Sequence, residues 1–136
     1  MRALALTAAL VLTGCYGEAG VAVEPDVIAF QSSLRVSPEA PVRGKRVDLS
    51  LDLTSASNIT LKSTVRIAVR GDSGLIYEYQ WNDVLIHPRE GWNLSQGFLP
   101  STDVKLTPHT IAIEVRNQAT GELLYDNPAI AKISFK

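Results

Sequence analysis

The sequence predicts an all-β fold, a sandwich of about seven short strands. Apolar and polar residues alternate along several windows, the period-two pattern of strands with one buried and one solvated face. Turn-forming residues recur every ten or so positions, from Ser37-Pro38 and Gly44 through Gly71–Gly74 to Pro100–Asp103 and Gly121. Beyond the first fifteen residues, no window sustains the apolar stripe of an amphipathic helix.

The chain opens with Arg2 ahead of an apolar run, Ala3 to Thr13. About 10 apolar residues suit the hydrophobic region of a signal peptide and fall short of the ~20 needed to span a bilayer. The run ends in Leu12-Thr13-Gly14-Cys15, which resembles the bacterial lipobox, Leu-(Ala/Ser/Thr)-(Gly/Ala)-Cys. The resemblance implies cleavage before Cys15, a diacylglycerol thioether on its sulfur and acylation of the new amino group. Cys15 is the sole cysteine, so no intrachain disulfide can form. Tyr16 rather than an aspartate follows it, and by the same resemblance the protein is directed to the outer membrane of the bacterial cell envelope. The expected organisation is a signal peptide over 1–14, a lipidated terminus and tether over 15–25, and one β-sandwich domain over 26–136. Beyond the covalent lipid on Cys15, the sequence calls for no cofactor.

A first, weaker strand is expected over Val27 to Val36. Val47, Leu49, Leu51 and Leu53 then alternate with Asp48, Ser50, Asp52 and Thr54. Leu61, Val65, Ile67 and Val69 alternate with Lys62, Thr64, Arg66 and Arg70 in the same way. Leu75 to Trp81 and Trp92 to Leu99 are weaker strands, followed by the alternating Ile111, Ile113 and Val115. Ala129, Ala131, Ile133 and Phe135 form the last apolar face, with Asn127-Pro128 as a break before it. The expected core is Val47, Leu49, Leu51, Val65, Ile67, Val69, Ile111, Ile113, Val115 and Ile133. If residues 45–54 and 61–70 formed a direct hairpin, Asp48 and Asp52 would face Arg66 and Lys62. The sandwich, which places those strands in different sheets, is preferred.

Leu106 to Val115 is similar to the turn entering strand F of immunoglobulin-like and fibronectin type III-like domains, where the pattern is Leu-x-Pro-x-Thr-Tyr-x-Val. Asn117 to Glu122 resembles the loop that follows. The resemblance implies an immunoglobulin-like β-sandwich. Ile111 stands where the corner tyrosine of that family would be, so its hydrogen bond is missing.

A net charge of −1 excludes a polybasic nucleic-acid binder. Gly71-Asp72-Ser73-Gly74 matches the segment around a trypsin-like nucleophile, but the only histidines, His87 and His109, follow the serine, and the chain is too short for two barrels. Both glycines are therefore read as turn residues. Arg70-Gly71-Asp72 spells an integrin-binding tripeptide, and Asn58-Ile59-Thr60 and Asn93-Leu94-Ser95 are formal glycosylation sequons; each is discounted. His87, Glu90 and His109 fit no zinc spacing, and the loop aspartates fit no calcium loop. These side chains are expected to be solvated turn residues. No catalytic residue, no enzyme activity and no metal site are expected.

The aromatic residues are the most informative for binding. Tyr77, Tyr79 and Trp81 lie two apart, on one face of a strand. Buried, they are core; exposed, they would stack on sugar rings, the basis of a carbohydrate-binding alternative. Trp81 to Trp92 is the longest expected connection; it holds Arg89, and its apolar middle, Val84-Leu85-Ile86, is expected to fold back on the domain or to form a short edge strand open to a partner strand. Trp81, Arg89 and Trp92 are the expected partner site, because tryptophan and arginine dominate interfaces. The expected partners are a membrane, through the lipid, and another envelope protein.

Overall fold

The computed structural model describes residues 25–136. The signal peptide and Cys15 lie outside the described residues. Seven strands follow in order: β1 (Phe30–Ser37), β2 (Val47–Ser55), β3 (Leu61–Gly71), β4 (Gly74–Ile86), β5 (Gly91–Phe98), β6 (His109–Asn117) and β7 (Leu123–Ile133). They form two antiparallel sheets, β1-β2-β5 and β4-β3-β6-β7. The fold is an immunoglobulin-like β-sandwich in which the fourth strand pairs with the third, not with the β1-β2-β5 sheet as in constant-type domains.

β2 and β3 belong to different sheets, so Asp48 and Asp52 do not meet Arg66 and Lys62. Each strand carries a continuous apolar row, Val47 to Leu53 on β2 and Val65 to Val69 on β3. A direct hairpin would leave both rows on one uncovered face. Stacking the sheets buries each row against the other. All ten expected core residues are buried, at most 5% exposed. Leu53, Val84, Ile86, Leu94 and Phe98 join them.

Three expectations are corrected. First, β4 continues past Trp81 to Ile86, leaving only His87–Glu90 as the connection to β5. The alternation breaks because the register shifts between Ser63 and Val65 on the partner strand: Val65 pairs with Trp81, yet Ser63 pairs with Val84. The extra residues form a β-bulge with Asp83 at φ 57°, which returns Val84 and Ile86 to the inner face. Gln118 clamps the bulge, accepting from Asp83 N at 2.6 Å and donating to Asp83 Oδ1 at 2.7 Å. Second, Asn127-Pro128 does not break the last strand but lies within β7. β7 is an edge strand, where proline costs no ladder bond, and the register shift beside it throws Ala129 outward to solvent. Third, only Gly74, at φ 109°, serves the β3–β4 turn. Gly71 instead makes room for the ring of His109: a Cβ there would lie 2.5 Å from His109 Cδ2.

The outer face of the larger sheet carries an ion-pair ladder across three strands. Arg66 on β3 reaches Glu78 on β4 at 2.6 Å and Glu114 on β6 at 3.2 Å, and Arg116 reaches Glu114 at 3.0 Å. The hydrogen bond from Arg116, with the Arg66 charge behind it, holds the Glu114 carboxyl below the ordinary glutamate range. Its stabilisation is present above the unfolded-state pKa and is lost as pH falls through the lower folded-state value. Glu114→Gln is expected to lower stability at neutral pH and to flatten the acid limb below pH 4.5, read by thermal melts across pH.

Candidate functional site

β4 and β5 are the edge strands of their sheets, stacked on the same side of the sandwich. Tyr77, Tyr79 and Trp81 pair across strands with Val69, Ile67 and Val65, all fully buried, so the aromatic row lies on the inner face. It is nevertheless only half-covered, because the three-stranded sheet ends at β5. Tyr77 is the most enclosed in its contacts: its ring stacks on Phe98 of β5, centroids 4.6 Å apart and planes 12° apart. Burial pushes its phenol pKa up. Tyr79 is 38% exposed and meets half-buried Trp81 edge-on, centroids 5.1 Å apart at 71°. The row is thus neither a solvated platform nor sealed core. It lines the open seam between two edge strands.

Trp92 lies on the inner face of β5, paired with buried Leu53. Its Nε1 donates to Glu90 Oε1 at 3.2 Å, and the same oxygen accepts from His87 N at 3.0 Å. That backbone hydrogen bond, with Trp92 as a further donor, holds Glu90 ionised below the usual carboxylate range. The turn His87-Pro88-Arg89-Glu90 closes by Glu90 N donating to His87 O at 3.1 Å. Proline at its second position and positive φ at its third, 59° at Arg89, follow the type II pattern, which favours glycine there. Arg89→Gly is expected to raise stability by about 1 kcal/mol while removing the exposed guanidinium, measured by denaturant unfolding.

The structure therefore brings Trp81, Arg89 and Trp92 to one edge: Trp81 in the body of β4, Arg89 at the tip of the turn, Trp92 near the start of β5. Glu90 was placed in this segment by the sequence but not given its role of fixing the indole of Trp92, and Gln118, which fixes the bulge after Trp81, was not singled out. Their only signal was a lone acid and a lone amide in turns.

The discarded motifs separate in space. Ser73 sits exposed in the β3–β4 turn. His87 Nδ1 contacts Thr60 Oγ1 at 3.2 Å, at the opposite end of the sandwich. His109 is not a solvated turn residue but fully buried, with Nδ1 donating to Thr107 O at 2.9 Å and its ring edge-on to Phe135. Among the described residues its Nε2 has no hydrogen-bond partner, so neither ring nitrogen engages Ser73. His87 and Glu90 lie at one end of the sandwich and His109 at the other, so the three share no site. Among the described residues, no group of three or more His, Cys, Asp or Glu side chains converges to hold a metal.

No family model matches the chain, and no curated protein matches it. Solved structures do. A CARDB domain of a Pyrococcus furiosus protein, determined in solution, superposes with a TM-score of 0.60 at 18% identity, over 82% of this chain and 97% of that one. A crystal structure of the same domain, in complex with di-metal ions, gives 0.57 at 16% identity, over 83% and 97%. The sporulation control protein Spo0M of Bacillus subtilis gives 0.59 at 13% identity, over 79% and 49%. At these identities the likeness establishes the β-sandwich fold.

Proposed function

We propose that the chain is a lipid-anchored, non-catalytic protein of the bacterial cell envelope that binds another envelope protein through the β4–β5 edge. The anchor is the acylated Cys15, placed by its lipobox resemblance, and the outer membrane is its destination. The observation that carries the reading is the half-covered aromatic row at that edge. Tyr79 and Trp81 present large apolar surface with polar tips, beside an edge strand able to pair with an extended segment. Exposed apolar surface of this kind, rimmed by Arg89 and the Asp83 bulge, suits a protein interface. The β-sandwich fold shared with the CARDB domain is compatible with this reading.

Sugar binding is a second reading. It is favoured by Tyr79 and weakened by Tyr77, whose ring face is already occupied by Phe98.

Two measurements test the proposal. Cys15→Ser is expected to abolish lipidation and release the protein from the membrane fraction; an unmodified Cys15 in a membrane-bound mature chain would refute the anchor. A photo-crosslinker at Tyr79 in intact envelopes is expected to capture a protein that a crosslinker at Ser50, on the polar outer face of the other sheet, does not. The combined Trp81, Arg89 and Trp92 substitutions should remove that adduct from a folded chain. Persistence of the adduct rules the site out, and binding of glycan arrays without any protein adduct favours the second reading.

A further inference from the structure

The end of the sandwich nearest Pro25 carries four exposed apolar side chains that the core does not use. Antiparallel pairing collects there the start of β1, the β2–β3 loop, the β4–β5 turn and the β6–β7 turn. Val27 is 46% exposed, Ile28 40%, Leu85 42% and Leu123 43%. Val27 and Ile28 are held in place by their backbone: Val27 N donates to Asn58 Oδ1 at 2.8 Å, Asn58 N to Val27 O at 3.1 Å, and Asn58 Nδ2 to Pro25 O at 3.0 Å. Leu85 pairs with Lys62, and Leu123 with Arg116, so each outward leucine has a cationic neighbour across the strands.

We propose that this end of the domain rests on the lipid surface that holds the anchor, with Val27, Ile28, Leu85 and Leu123 seated in the headgroup boundary. The inference rests on the lipidation of Cys15. Chain length then selects the occupant. Nine residues lie between Cys15 and Pro25, so ten steps of chain give a reach of at most about 35 Å in any conformation. Strands of eight to thirteen residues make the sandwich roughly 30–40 Å long. The near end can meet the bilayer without straining that reach. The far end, where Leu99 is 71% exposed, could meet it upright only with the connection drawn almost straight. Lys62 suits the contact, since its aliphatic stem can lie along apolar surface while its charge reaches a lipid phosphate; Arg116 is held by Glu114 and Gly121 O and contributes no free charge. The Lys62–Asp83 pair, exposed and 3.6 Å apart, restrains Lys62 little.

The test uses the full lipidated protein in vesicles of phosphatidylethanolamine and phosphatidylglycerol, with no other protein present. An environment-sensitive fluorophore is placed on Ile28→Cys, Leu85→Cys, Leu123→Cys or Leu99→Cys, the thiol of Cys15 being occupied by lipid. Labels at 28, 85 and 123 are expected to shift to the blue and to be quenched several-fold more than the label at 99 by lipids carrying a nitroxide near the headgroup. Equal quenching at all four positions, or stronger quenching at 99, overturns the proposal. Self-quenching that grows with protein density, without lipid quenching, assigns these side chains to a second copy instead. Mass spectrometry and flotation of the same samples separate the two claims. A lipidated, floating protein without selective quenching defeats this inference alone, and an unmodified Cys15 defeats the anchor and this inference with it.

Discussion

Leu49→Ala is expected to destabilise the domain by about 2–5 kcal/mol, enough to threaten folding at growth temperature. Leu49 is 1% exposed on β2, the central strand of the smaller sheet, between Val36 on β1 and Gln96 on β5. Across the interior it belongs to the same core as Ile67, Val69 and Ile111. Neighbours held by ladders on both sides cannot collapse into the space left by the missing atoms, so the loss includes a cavity as well as burial. Chemical denaturation reads it directly: the midpoint should fall with an unchanged slope. A loss below about 1 kcal/mol would mean that the sheets close over the gap.

Gly71→Ala is the second large effect, expected at about 1–3 kcal/mol although only one methyl group is added. The new Cβ would lie 2.5 Å from both Cδ2 and Nε2 of His109. The ring has little freedom to retreat. It is fully buried, bonded through Nδ1 to Thr107 O, and backed by Phe135 at 5.2 Å. The β3 backbone must move instead, and with it the pairing of β3 with β4. A double-mutant cycle isolates the cause: in a His109→Ala background the cost of Gly71→Ala should largely vanish. An undiminished cost would place the strain in the β3–β4 turn. Arg70, near the end of β3, and Asp72, in the turn, flank this glycine with exposed side chains, so its role is packing beneath the turn.

Much of the candidate site was legible in the chain. Tyr77, Tyr79 and Trp81 were placed on one strand face by their spacing, and they share it. Their half-exposure was not legible, because it depends on where the opposite sheet ends. The sequence makes the connection from Trp81 to Trp92 too long, although its apolar middle, Val84 to Ile86, does lie in an edge strand as expected, and the reason is related. A bulge inserts residues without ending a strand, and in sequence this looks like a lost alternation. Asp83 supplies the positive φ there, and its clamp, Gln118, lies 35 positions away. His109 was misplaced as well. A histidine beside a proline reads as a turn, and only the glycine opposite shows that a ring is packed there.

The all-β class and the inner and outer faces of β2, β3 and β6 followed from local pattern alone. Alternation is a property of neighbouring residues, and the pleat converts it directly into two faces. The lipobox is likewise a contiguous signal. Which strands stand at the edges, where Asp83 and Pro128 bulge the ladders, why Gly71 must be glycine and why the aromatic row stays half-open were decided by tertiary structure. Each depends on a contact that no local window contains: Phe98 over Tyr77, Gln118 at the Asp83 bulge, β6 beside Pro128, and His109 over Gly71. Strand order and inter-sheet overlap arise from such long-range packing, because a strand's own period specifies a buried face without specifying what covers it.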